Sequence, residues 1–153
     1  MTTILLTWNP DKFPWDRPGD SLGEQIAAIA ARGYVDDRWG CGFSRGIVPG
    51  DRVFLMRLGV EPRGIVGAGH ARGTPYTAPH WAIPGKLALW VDIRFDHLRD
   101  ATRQAILPSA ELRHDPRFAA MRNWHPRASG AHIPDEAAGE LERAWADLRN
   151  GPG

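Results

Sequence analysis

The stretch PGDRVFLMRLG, Pro49 to Gly59, followed four residues later by GIVGAGHA, Gly64 to Ala71, decides the fold. Pro49-Gly50 has the residue order of a type II turn, with proline presetting one φ and glycine supplying the positive one. Arg52 to Leu58 is then an apolar, β-prone run, and Gly64 to Ala71 is a second, so the pair reads as an antiparallel hairpin. Gly64, Gly67 and Gly69 mark the second strand as one that another backbone or a bulky aromatic approaches closely.

Working outward, Leu87 to Phe95 alternates well enough for a third long strand, with Trp90, Asp92 and Arg94 on one face and Leu89, Val91, Ile93 and Phe95 on the other. Thr3 to Trp8 is a strand stopped by Asn9-Pro10. Between them, Ser21 with Glu24 fits a capping box and Gly33 a left-handed stop, which predicts a helix whose Leu22, Ile26, Ile29 and Ala30 share a face. Arg38 to Ser44 reads as a glycine-rich segment and Gly73 to Gly85 as a loop. Ala101 to Leu107 reads as a short helix or turn and Pro116 to Met121 as one helical turn. A last helix after Ile133-Pro134-Asp135 carries Leu141, Ala144, Trp145 and Leu148 as its apolar stripe. The expectation is an α+β fold: a small curved or partly closed barrel of about five or six strands with flanking helices.

The 153 residues suit one domain, residues 1–153, without repeat or linker. Nineteen basic against eighteen acidic residues leave +1, so any nucleic-acid affinity depends on where charge sits. No run of about 18 apolar residues exists to span a bilayer, and the amino terminus lacks the pattern of a secretory signal. A single cysteine, Cys41, closes no internal disulfide, and the expected compartment is the cytoplasm. Two biases stand out. There are seven tryptophans, and, with Lys12 and Lys86 the sole lysines, seventeen of the nineteen basic residues are arginine. Flat apolar faces and planar cationic forks suit bases and phosphates.

No phosphate loop, nucleophile elbow, His-x-x-x-His or Cys-x-x-Cys is present, and the six histidines are scattered singly, so neither catalytic residues nor a metal or cofactor is expected. Cys41 reads as a small buried residue, with a thiol activated by Arg38 and Arg45 as the alternative. What remains is aromatic and arginine-rich, and lies at strand ends and in irregular segments: Trp8-Asn9-Pro10, Trp39-Gly40, Tyr76 to Trp81, and Trp124 to Gly130. Such a set can grip a flipped-out base, stacking supplying affinity and polar groups reading the edge. Trp90 and Trp145 lie on predicted elements and read as core. Trp8, Trp39 and Trp124 fit core or pocket equally. Arg113, Arg117, Arg122 and Arg127 make one stretch locally basic, either a solvated face or a phosphate-contacting rim, and Arg38 and Arg45 flank the glycine-rich segment.

Together, Leu6 to Pro10, Trp39-Gly40, Pro49 to Gly59, Pro62 to Gly69 and Trp124 to Gly130 resemble EVE domains of the PUA-like superfamily, above all the version joined to HNH endonucleases in modification-dependent restriction. The resemblance runs from Thr3 to about Trp145. It implies a curved barrel holding a methylated or hydroxymethylated cytosine in an aromatic pocket. The base site is then Trp8, Asn9, Pro10, Trp39, Gly40, Trp81, Trp124 and Ser129, with Arg38, Arg45, Arg122 and Arg127 on phosphates. Trp39 is assigned to stacking, Trp8 or Trp124 to the second wall, Asn9 with Ser129 to the base edge, and Arg127 to a phosphate or to bracing the pocket.

With no nuclease sequence before Gly153, the expected role is a non-enzymatic reader of double-stranded DNA containing 5-methylcytosine or 5-hydroxymethylcytosine, with a separate nuclease or effector as partner. The alternatives are an RNA- or nucleotide-binding or processing protein, with His125 or His132 and Asp115 as base and acid, and a sensor of free nucleobases.

Overall fold

The computed structural model describes residues 1–151. Eight strands form one mixed sheet: β1 (Thr3–Trp8), β2 (Val35–Gly40), β3 (Arg52–Arg57), β4 (Gly64–Ala71), β5 (Tyr76–Pro79), β6 (Leu87–Leu98), β7 (Leu107–Pro108) and β8 (Ala131–Ile133). Three helices accompany them, α1 (Leu22–Arg32), α2 (Ser109–His114) and α3 (Asp135–Asn150), with a 3₁₀ turn at Pro116–Phe118. The sheet runs β2-β6-β4-β3-β1-β8 and does not close, with β5 on β6 and β7 on β4. β1 lies parallel to β3; β3 and β4 form the expected hairpin.

Every residue of β3 is buried because the sheet has a core on each face. Val53 and Leu55 join Ile4, Leu6, Val91, Ile93 and Phe95 on the side covered by α1. Phe54 and Met56 join Leu5, Ile65, Phe118, Leu141 and Trp145 on the side covered by α2 and α3. Arg52 staples α3 to the sheet, its guanidinium reaching Glu142 at 2.9 Å and Asp96 at 3.2 Å. The close approach expected at the β4 glycines is present: a Cβ at Gly69 would collide with the Arg94 carbonyl, and one at Gly67 would lie 2.6 Å from Leu98.

The α1 signals are realised, with Ser21 Oγ accepting from the Glu24 N–H and Gly33 left-handed at φ 91°. Four short elements depart from expectation. Arg38, Trp39 and Gly40 end strand β2, which pairs with β6 from Val35↔Phe95 to Gly40↔Trp90. Its polar residues hide the pattern because a cross-strand ion pair, Arg94 to Asp36 at 2.8 Å, satisfies one of them. Tyr76 to Pro79, expected as loop, is strand β5 on the edge of β6. β8 joins β1 through three residues. With β7, which takes Leu107 from the end of the segment expected as a short helix or turn and pairs it with Ile65, these additions to the four strands read at β1, β3, β4 and β6 bring the count to eight rather than five or six. No helix among the described residues is long and apolar enough to cross a membrane.

Candidate nucleic-acid interface

Where β1, β2 and the β5–β6 hairpin meet, three indoles form the floor of a cleft of about 1130 Å³. Trp8 ends β1, Trp39 lies in β2, and Trp15 comes from the turn-rich segment after β1. Trp15 meets Trp8 edge-on at 5.1 Å and Trp39 at a tilt of 54° with centroids 4.9 Å apart. Each indole N–H is taken by backbone: Trp8 donates to the Phe13 carbonyl at 2.6 Å, Trp39 to Thr7 at 2.9 Å and Trp15 to Asp20 at 3.1 Å. All three are buried, so the floor is rigid and its indole N–H groups are already committed. Trp15 holds a φ of 57°, an uncommon value for a bulky residue that the surrounding aromatic contacts maintain.

The walls are more exposed than the floor. Phe13 stands edge-on to Trp39 at 6.0 Å and to Trp81 at 5.5 Å. Trp81 stacks on His80 at 5.6 Å and is 46% exposed. Phe43, also lining the cleft, is 92% exposed. Around the mouth stand Lys12, Arg17, Arg38, Arg45, Lys86 and Arg127, against Asp20 and Asp37. Among the described residues none of these six cations makes an ion pair within 4 Å. Arg38 lies over the Trp90 ring at 4.2 Å, a cation–π contact that keeps its charge at the surface.

The last irregular segment closes one end. Ser129 Oγ accepts from the Thr7 N–H at 2.9 Å, tying the segment to β1. Gly42, at φ 63°, approaches so closely that a Cβ would lie 2.5 Å from the Ser129 carbonyl, while Ser44 Oγ donates to the Gly130 carbonyl. The turn carrying Phe43 is thus braced from both sides.

Of the residues singled out from sequence, Trp8, Asn9, Trp39, Gly40, Trp81, Ser129, Arg38, Arg45 and Arg127 line this cleft. Asn9 is partly committed to its turn, its Oδ1 accepting from the Asp11 N–H at 3.0 Å. Pro10 lies in that turn and does not line the cleft. Trp124 and Arg122 belong elsewhere, in a separate cavity of about 490 Å³. Trp124 is 3% exposed in the core covered by α2 and α3, edge-on to Phe118 at 6.0 Å and donating to its carbonyl at 3.3 Å. It is not a wall of the cleft, because the segment carrying it packs against α2 before it reaches β1. Phe13, Trp15, Asp37 and Phe43 join the cleft without having been singled out. Two aromatics spaced by Pro14 in FPW (13–15) were the available signal.

Cys41 and Asp115 belong to the two reactive alternatives. Cys41 is fully buried and burial pushes its thiol up to about 11, which makes it a core residue. Asp115 accepts from the Arg117 guanidinium at 2.9 Å, and this bond holds its carboxyl below the usual carboxylate range. Among the described residues no cluster of three His, Cys, Asp or Glu side chains has metal-binding geometry.

No family model matches the chain, and no curated protein matches it significantly. Solved structures do. A Leishmania major protein matches with a TM-score of 0.67 at 16% identity, over 98% of each chain. A Rhodopseudomonas palustris protein matches with a TM-score of 0.62 at 21% identity over 100% of both. Human THYN1, solved in complex with 5-methylcytosine containing DNA, matches with a TM-score of 0.61 at 14% identity, over 99% of this chain and 100% of that one. These likenesses, all at 21% identity or below, show that the chain shares the fold of these proteins, human THYN1 among them.

Proposed function

We propose that the cleft binds a modified cytosine, 5-methylcytosine or 5-hydroxymethylcytosine, flipped out of double-stranded DNA. The observation that carries this reading is the union in one opening of a rigid tryptophan floor, an exposed Trp81 and six cations that make no ion pair among the described residues. Stacking on such a site contributes about 1–3 kcal/mol per base, and the cations supply the phosphate attraction. Phe43, held out in water by a braced turn, suits the gap that a flipped base leaves in the stack. The likeness to THYN1, whose structure holds methylcytosine DNA, supports DNA as the partner. In this reading the protein acts in the cytoplasm as a binder, and a separate nuclease or effector acts on the marked DNA.

The test is a fluorescence-polarisation titration with duplexes that differ at one position: cytosine, 5-methylcytosine or 5-hydroxymethylcytosine. One of the two modified duplexes is expected to bind at least several-fold more tightly than the unmodified one. Equal affinities for all three, or tighter binding to RNA of the same sequence, would overturn the reading.

A further inference from the structure

Of the four acids on the strands, two are ion-paired, and a third, Asp92, accepts from the Tyr76 hydroxyl at 2.6 Å. Asp36, beside Asp37 in β2, is paired with Arg94 at 2.8 Å and Arg72 at 3.4 Å. Asp96 is paired with Arg52 at 3.2 Å. Asp37 differs: it lines the cleft, is half-buried, and makes no ion pair among the described residues. Its Oδ1 accepts from the Arg38 N–H at 2.7 Å and its Oδ2 from Gln25 Nε2 at 2.9 Å. Gln25 is the one buried residue of α1, 3% exposed, and its Nε2 also donates to the Asp20 carbonyl at 3.2 Å. The carboxylate is therefore fixed in place by one amide on each side, with lone pairs on both oxygens still free.

We propose that Asp37 reads the base edge in this cleft by accepting a hydrogen bond from the exocyclic amino group of cytosine, with Gln25 as its positioning residue. The inference rests on the base-binding reading above and names the feature of the base that the cleft selects. A carboxylate is an acceptor only, and cytosine offers it the N4 amino group. Thymine carries a carbonyl oxygen at that place, which would set two acceptors face to face. Since 5-methylcytosine and thymine share the methyl group, an aromatic cage alone cannot separate them, whereas an acceptor fixed at the amino position can. Burial holds the Asp37 carboxyl above its ordinary range, the state of an acid short of donors, and a bound amino group would supply one.

The experiment is a double-mutant cycle between protein and base. Duplexes carrying 5-methylcytosine, thymine, or 5-methylpyrimidin-2-one, which is 5-methylcytosine without its amino group, are titrated with wild-type protein and Asp37→Asn. For the wild type, replacing the amino group is expected to weaken binding roughly five- to hundredfold. For Asp37→Asn that preference should shrink to less than about threefold, while Trp81→Ala should weaken all three duplexes in parallel. An amino-group preference of the same size in both proteins overturns the proposal while the base-binding reading stands. Binding that is equal for modified and unmodified cytosine overturns the base-binding reading itself. Should Asp37→Asn fail to fold, the wild-type titration decides: a loss below twofold on removing the amino group overturns the proposal, and a larger one, shared by thymine, supports it.

Discussion

Trp39 and Trp81 both border the cleft, yet they stand in opposite environments. Trp39 is 8% exposed, touches Phe13, Trp15 and Phe95, and spends its N–H on Thr7; Trp81 is 46% exposed on a hairpin tip. Truncating Trp39 to alanine opens a cavity, so Trp39→Ala is expected to cost about 3–5 kcal/mol of stability, read as a fall in melting temperature. Trp81→Ala removes little buried area and should change stability by less than about 1 kcal/mol, while weakening DNA binding by about 1–3 kcal/mol in a polarisation titration. Trp81 is the residue at which binding and folding can be separated, and a large melting shift there would contradict its exposed position. At Trp39 a loss of binding would follow from a loss of fold. Sequence left Trp39 between core and pocket because this side chain is buried in the core and also lines the cleft.

At the scale of elements, the site depends on how the end of β2 meets the segment before β8. Gly42 leaves no room for a Cβ, and Ser129 satisfies the Thr7 N–H, so two distant pieces of chain are clamped together without a helix or disulfide. Ser129→Ala strips the Thr7 N–H of its partner and is expected to cost about 1–3 kcal/mol, with faster amide exchange at Thr7 in a hydrogen-exchange measurement. Unchanged exchange at Thr7 would mean that the clamp does not hold β1. The elements legible in sequence were those whose signal is local: the β3–β4 hairpin from its turn and apolar runs, α1 from its caps, α3 from its stripe. β2, β5 and β8 were not legible as strands. They are short or polar, and nothing marks them as strands except the partner each one borrows.

For the molecule as a whole, the formal charge of +1 conceals six cations gathered at one opening. If all six meet phosphates, the plot of log affinity against log salt should fall with a slope of about −5, and a flat plot would mean that the cations do not contact phosphate. The opposite core carries a second condition. His97 packs 4.9 Å from the Trp145 ring and accepts from Arg99 Nε at 3.3 Å. Burial first, then the charges of Arg149 and Arg99, push it down to about 4 against a small opposing effect of Asp96. The unfolded chain thus takes up the proton near 6.5 and the folded one near 4, so stability should be full above pH 6.5 and fall as pH drops through that window. Denaturant midpoints at pH 7 and pH 5 check this, and His97→Gln should flatten the difference.

By itself the sequence determined the α+β class, the central hairpin, the capped helix and the absence of familiar catalytic patterns, because each is written in neighbouring residues through backbone geometry and apolar period. It also offered Trp8, Trp39 and Ser129 as candidate site residues. Only the tertiary structure decided that these converge on one cleft with Phe13 and Trp15, and that Trp124 belongs to the other core. The physical reason is that a tryptophan lowers the free energy of a core and of a pocket alike. Which side of the sheet it faces is set by strands paired more than a hundred residues apart, as Leu5 is with Ala131.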